Sequence, residues 1–143
     1  MEFILGILLS LITFLPGSAI AAVIGALFIQ FGTNKILGFT PYYGRSWFIS
    51  FCHQIIMVIL SLIFGFIILV TASDKNLVAA IAVNSLFVIS LFFLQSAITY
   101  NLLKYEYMTY KDSLKIMGIV YGLILIIVAA LGIPWLTIMY MEI

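Results

Sequence analysis

The run WFISFCHQIIMVILSLIFGFIILV (residues 47–70) is followed, after TASDKN (71–76), by LVAAIAVNSLFVISLFFLQSAITYNLL (77–103). Neither run contains an Asp, Glu, Lys or Arg. Each exceeds the roughly 20 apolar residues that a helix needs to cross a bilayer. The short stretch between them holds Ser73, Asp74, Lys75 and Asn76, polar enough to turn at a membrane surface. The pair reads as a transmembrane helical hairpin.

The same alternation organises the whole chain of 143 residues, 66% of them apolar and 8% charged. A water-soluble domain carries about 25% charged residues, because its surface faces water. Six basic and five acidic side chains cannot clothe such a surface. Nor are they dispersed: they fall at Glu2, from Lys35 to Arg45, at Asp74–Lys75, from Lys104 to Lys115, and at Glu142. The expectation is an all-α integral membrane protein, a single domain whose four-transmembrane-helix bundle spans about 3–31, 47–70, 77–103 and 112–133. Cys52 is the only cysteine, which rules out an internal disulfide and any multi-cysteine redox or metal motif. A net charge of +1 offers no electrostatic footprint for nucleic acid.

The first span contains Pro16-Gly17 near its middle. A straight helix over 3–31 would measure roughly 43 Å, against a hydrocarbon core of about 30 Å. Pro16 cannot donate a backbone hydrogen bond and crowds the preceding turn, so a first helix kinked or broken at Pro16-Gly17 is expected. A re-entrant hairpin turning at that point is the rival, disfavoured because it exposes backbone at mid-membrane. A cleaved leader is disfavoured too. Glu2 has the wrong sign for its amino-terminal region, and the apolar run continues past Ala19-Ile20-Ala21 to Phe31.

In the loops, Thr40-Pro41 resembles an N-cap followed by a first helical residue. Thr109, with Asp112 three residues on, has the pattern of a capping box opening the fourth helix. That helix should reach about Gly132, with Pro134 bending Trp135–Met141 toward the interface. The first and third loops hold Lys35, Arg45, Lys104, Lys111 and Lys115, whereas the second holds only Lys75. The positive-inside rule then places both termini on the non-cytoplasmic side. The expected location is a bacterial-type inner or plasma membrane.

Polar residues at apolar depth carry the functional information, since each must find a partner or cost free energy. A mirror about the Asp74–Lys75 turn sets His53 level with Ser96, Gln54 with Gln95, and Gly65 with Asn84. On the third span, Asn84 and Gln95 share a face, Ser85 and Ser96 repeat the relation, and Thr99 extends the stripe. On the second, Ser50, Gln54, Ser61 and Gly65 share a face. The expected polar seam is therefore His53, Gln54, Asn84, Ser85, Gln95, Ser96 and Thr99. Its plainer reading is hydrogen bonding between helices, and its sharper one a solute pathway. His53 could serve as a proton relay or an axial haem ligand, but a lone histidine in a helix interface reads first as a neutral, hydrogen-bonded group. No cofactor is expected.

Gly17, Ala21 and Gly25 recur every four residues, and Gly118 and Gly122 form a GxxxG, so these five are candidate helix-packing positions. Tyr42, Tyr43, Arg45 and Trp47 combine aromatic and basic character on the cytoplasmic face, suited to lipid headgroups or a docking partner. There is no phosphate loop, no metal-spaced cluster and no nucleophile with a base. The sequence thus points to a non-enzymatic accessory or scaffold subunit, partnered by the lipid bilayer and by another membrane protein or a second copy. The alternative is a small oligomeric transporter or channel using the polar seam.

Overall fold

The structure, a computed structural model, describes residues 2–71 and 77–141. It consists of four helices: α1 (Glu2–Leu37), α2 (Tyr43–Thr71), α3 (Leu77–Leu103) and α4 (Tyr110–Met141). There is no strand among the described residues. All four helices are long and apolar enough to cross a membrane. The Ser73–Asn76 turn and Glu142 lie outside the described residues.

The helices form a ring, α1 against α2 and α4, and α3 against the same two. Their inward faces follow helical spacing. Ser18, Ala22, Ala26, Ile29 and Thr33 are buried on α1, and Ser46, Ile49, Ser50 and His53 on α2. On α3 they are Leu91, Gln95, Ser96, Thr99 and Leu103. On α4 they are Ser113, Ile116, Met117 and Val120. Many of these side chains are small, which lets backbones approach. At Gly25 the approach is closest, for the Ser50 side chain of α2 occupies the space a Cβ would need. Gly32 plays the same part against α4, where a Cβ would lie 3.2 Å from the Ile116 carbonyl oxygen.

Burial is confined to one half of the bundle. Ile29, Ile49, Leu103, Met108, Ile116 and Met117 close its end beside the 38–42 and 104–109 loops. These loops are tied together by the Phe39 and Tyr105 rings, 4.1 Å apart. Arg45 Nη1 adds a hydrogen bond to the Leu103 carbonyl, 3.1 Å away, at the end of α3. In the other half, beyond Ser18, His53, Leu91 and Val120, no described side chain is buried. Leu125 and Leu131 on α4 are 67% and 70% exposed.

Local signals explain most helix ends. The Thr109 amide donates to Asp112 Oδ2 (3.0 Å), and the Asp112 amide to Thr109 Oγ1 (3.3 Å), a reciprocal box that starts α4. Gly38, at φ 76°, ends α1 in a left-handed turn, its amide bonded to the Asn34 carbonyl. Three expectations need correction. Thr40 does not cap α2: its hydroxyl accepts from Asn34 Nδ2 (2.8 Å), and Tyr42 takes the capping place, its carbonyl bonding the Ser46 amide. The helix α4 does not stop near Gly132 but runs through Pro134 to Met141. Likewise α1 is a single helix across Pro16, without the break expected there and without the re-entrant turn that was disfavoured. A proline removes one hydrogen bond, whereas ending a helix in apolar surroundings would unpair several backbone groups.

Candidate functional site

The polar groups of the packed half meet where it gives way to the open half. Counted at 1.5 Å per residue, His53, Gln95 and Tyr121 lie roughly 12–16 Å from the loop-side ends of α2, α3 and α4. His53 Nε2 is 3.0 Å from the Gln95 carbonyl oxygen. Because a carbonyl only accepts, Nε2 carries the proton in this arrangement. The same nitrogen is 3.0 Å from Thr99 Oγ1, whose own hydrogen goes to the Gln95 carbonyl at 2.9 Å. Gln95 returns the contact, its Nε2 donating to the His53 carbonyl at 3.4 Å. Its Oε1 accepts a 2.6 Å bond from the Tyr121 hydroxyl. The result is a clasp joining α2, α3 and α4, with Met117 Sδ 3.4 Å from Thr99 Oγ1 on its loop side.

The clasp borders a pocket of about 210 Å³ to which all four helices contribute. Ser50 and Gln54 of α2 and Gly25 of α1 line it, together with apolar walls from Ile29, Leu91 and Val120. No Asp, Glu, Lys or Arg lines it. Neither the Ser50 hydroxyl nor the Gln54 carboxamide has a hydrogen-bond partner among the described residues, in contrast to the mutually engaged clasp.

Of the seven residues expected in the polar seam, the structure brings His53, Gln95 and Thr99 into contact and sets Gln54 on the pocket wall. Ser96 is buried but bonds within its own helix, to the Phe92 carbonyl at 2.8 Å. Asn84 and Ser85 stand apart, exposed in the open half. The Ser85 hydroxyl bonds back to Ile81, while Asn84 borders a shallow depression with Ser61, Gly65 and Phe87. Their separation from Gln95 is one of depth, because the bundle no longer closes at their level. The seam also omits Tyr121, which supplies the shortest bond of the clasp. Its signal was a tyrosine in an apolar run, level with Gln95 to within a turn when α3 and α4 are mirrored about the 104–109 loop.

Among the expected packing positions, Gly25 meets α2 closely, and Ala21 is half-buried. No atom of a neighbouring element lies within 4 Å of a Cβ placed at Gly17, Gly118 or Gly122. Gly17 lies below the closed half. Gly118 and Gly122 are offset around α4 from its buried Ser113, Ile116, Met117 and Val120. At the loop end, Tyr42 and Arg45 are exposed. Trp47 stacks on Phe51, with ring centroids 5.3 Å apart. Among the described residues no cluster of His, Cys, Asp and Glu could hold a metal ion. No protein-family model, characterised protein or solved structure matches the chain, so the site is read from its own geometry.

Proposed function

We propose that the chain is an integral membrane protein acting as a non-enzymatic accessory or scaffold subunit of a membrane assembly. The observation that carries this reading is the open half of the bundle, where apolar side chains are exposed on all four helices and the exposed Asn84 among them has no hydrogen-bond partner among the described residues. Lipid tails suit the apolar side chains but offer nothing to a carboxamide, which a neighbouring helix can satisfy. Five basic residues in the 38–42 and 104–109 loops and their flanks support a cytoplasmic position for that end, with both termini on the other side of a plasma or bacterial-type inner membrane. A bend at Pro16 would help fit α1, roughly 54 Å long if straight, to a core of about 30 Å.

Asn84→Leu tests the reading. Since Asn84 makes no hydrogen bond among the described residues, thermal unfolding of the purified protein should be unchanged. A photocrosslinker at position 84 in native membranes should give a discrete protein adduct, and the partner that co-purifies with the wild type should be lost from Asn84→Leu. Adducts to lipid alone would end the proposal.

The pocket supports a second reading, a small oligomeric transporter or channel that uses His53 and Gln95. In liposome flux assays His53→Ala and Gln95→Leu should each cut transport severalfold, and unchanged flux in both would remove the clasp from any pathway.

A further inference from the structure

We propose that the central pocket binds the head of an uncharged amphiphile carrying a hydroxyl or carbonyl group, with its tail lying in the open half of the bundle. The inference needs the chain to sit in a membrane but is independent of the scaffold reading.

Ser50 is 2% exposed, and its hydroxyl, set against the bare backbone of Gly25, has no partner among the described residues. One turn further along α2, the half-buried Gln54 carboxamide brings two donors and an acceptor to the same space, also unmatched. The Ser18, Thr33 and Ser46 hydroxyls are also buried without a partner, but they do not line the pocket, whereas Ser50 and Gln54 face space that a ligand or water can fill. His53, Gln95 and Tyr121 line the pocket too, but the His53 Nε2, the Gln95 carboxamide and the Tyr121 hydroxyl are already engaged in the clasp. Recognition therefore falls to Ser50 and Gln54.

The lining sets the class of molecule. With no ionic side chain facing the pocket, a charged head would be buried without a counter-ion, which is costly. A pure hydrocarbon would leave both polar groups unpaired. A volume of about 210 Å³ exceeds the ~150 Å³ that holds a benzene ring in a dry cavity, yet it is far too small for a whole lipid. A head and its first few carbons fit. Met57 and Ile124 lie on the side facing the open half, and Ile124 is 43% exposed there. Seven residues past Gln95 and Tyr121, and so on the same faces of α3 and α4, Val88 and Val128 are exposed apolar side chains that an alkyl tail can follow. A ligand can therefore enter from hydrocarbon without crossing the polar loops.

The full chain, purified in detergent, should be tested with tritiated 1-dodecanol, dodecane and dodecanoate at equal mole fraction. Dodecanol should bind saturably, near one per chain and at least tenfold more tightly than the other two. Ser50→Ala/Gln54→Leu should reduce it to the level of dodecane. Ile124→Trp, which obstructs the mouth and leaves both polar groups in place, should abolish saturable binding. This second variant decides the matter if the double variant melts at a lower temperature. Equal retention of all three probes, preference for dodecanoate, or dodecanol binding that survives Ile124→Trp would overturn the proposal. So would dodecanol retained no better than by empty micelles, the result expected of a pocket that holds only water.

Discussion

Gly25→Leu is expected to destabilise the protein by about 3 kcal/mol or more, at the upper end of what overpacking a core costs. Ordinarily, replacing a helical glycine gains up to about 1 kcal/mol, because glycine has the most backbone freedom to lose. The sign reverses here because the Ser50 side chain fills the place of the missing Gly25 Cβ. Gly25→Ala should be milder, about 1–2 kcal/mol, since the Ser50 hydroxyl can rotate away while its Cβ stays tight. Adding Ser50→Gly to Gly25→Ala should recover much of that loss, less the cost of glycine in α2. Gly118→Ala, where nothing lies within 4 Å of the new methyl, should be neutral or slightly stabilising. Equilibrium unfolding in mixed micelles measures all four variants. Equal effects at positions 25 and 118 would mean that the α1–α2 contact is not the close one described.

The second large effect concerns the clasp. Gln95→Leu keeps the volume of the side chain but removes the acceptor of the Tyr121 hydroxyl and the donor to the His53 carbonyl. Hydrogen bonds between helices in membrane proteins contribute about 0.6 kcal/mol on average and up to about 1.7. Leaving a buried partner unsatisfied costs about 1–3 kcal/mol. The single change should therefore cost about 2 kcal/mol, mostly through the stranded Tyr121 hydroxyl. Tyr121→Phe removes that hydroxyl, so the double variant should be more stable than the two separate losses imply, with a coupling near 1 kcal/mol. Strict additivity would show that the 2.6 Å bond contributes nothing measurable. His53 should be little affected by Tyr121→Phe, because its bonds run to the Gln95 backbone and to Thr99.

Depth along the helices was legible in the sequence, and facing was legible only in part. The mirror about Asp74–Lys75 puts Gln54 opposite Gln95 and His53 opposite Ser96, within one residue of the contact between His53 and Gln95. That accuracy follows from a uniform rise per residue in two helices joined by a short turn. The same periodicity joined Asn84 to Gln95 on one face, correctly for α3, but it carries no information on how far the neighbouring helices remain close. Spacing by fours likewise selects a face without naming what lies across it. Gly25 opposes Ser50, whereas Gly17, Gly118 and Gly122 have nothing within 4 Å. Gly32, seven residues after Gly25 and therefore on much the same face, falls outside the spacing by fours yet packs against Ile116. Tyr121 was legible only by mirroring the second hairpin as well. Neither Pro16 nor Pro134 ends its helix, because a proline removes one hydrogen bond while a continuous helix retains many.

With its buried contacts gathered at the loop end, the molecule is closed on one side of the clasp, and on the other α4 runs on with exposed side chains. The clasp at His53, Gln95 and Tyr121 is the pivot, and α4 extends from Tyr121 to Met141, an arm of roughly 30 Å at 1.5 Å per residue. A tilt of about 5° at the pivot carries the tip of that arm about 2.6 Å, given that length. A shift of that arm would reach the loop end through the clasp and through the packed core beside it.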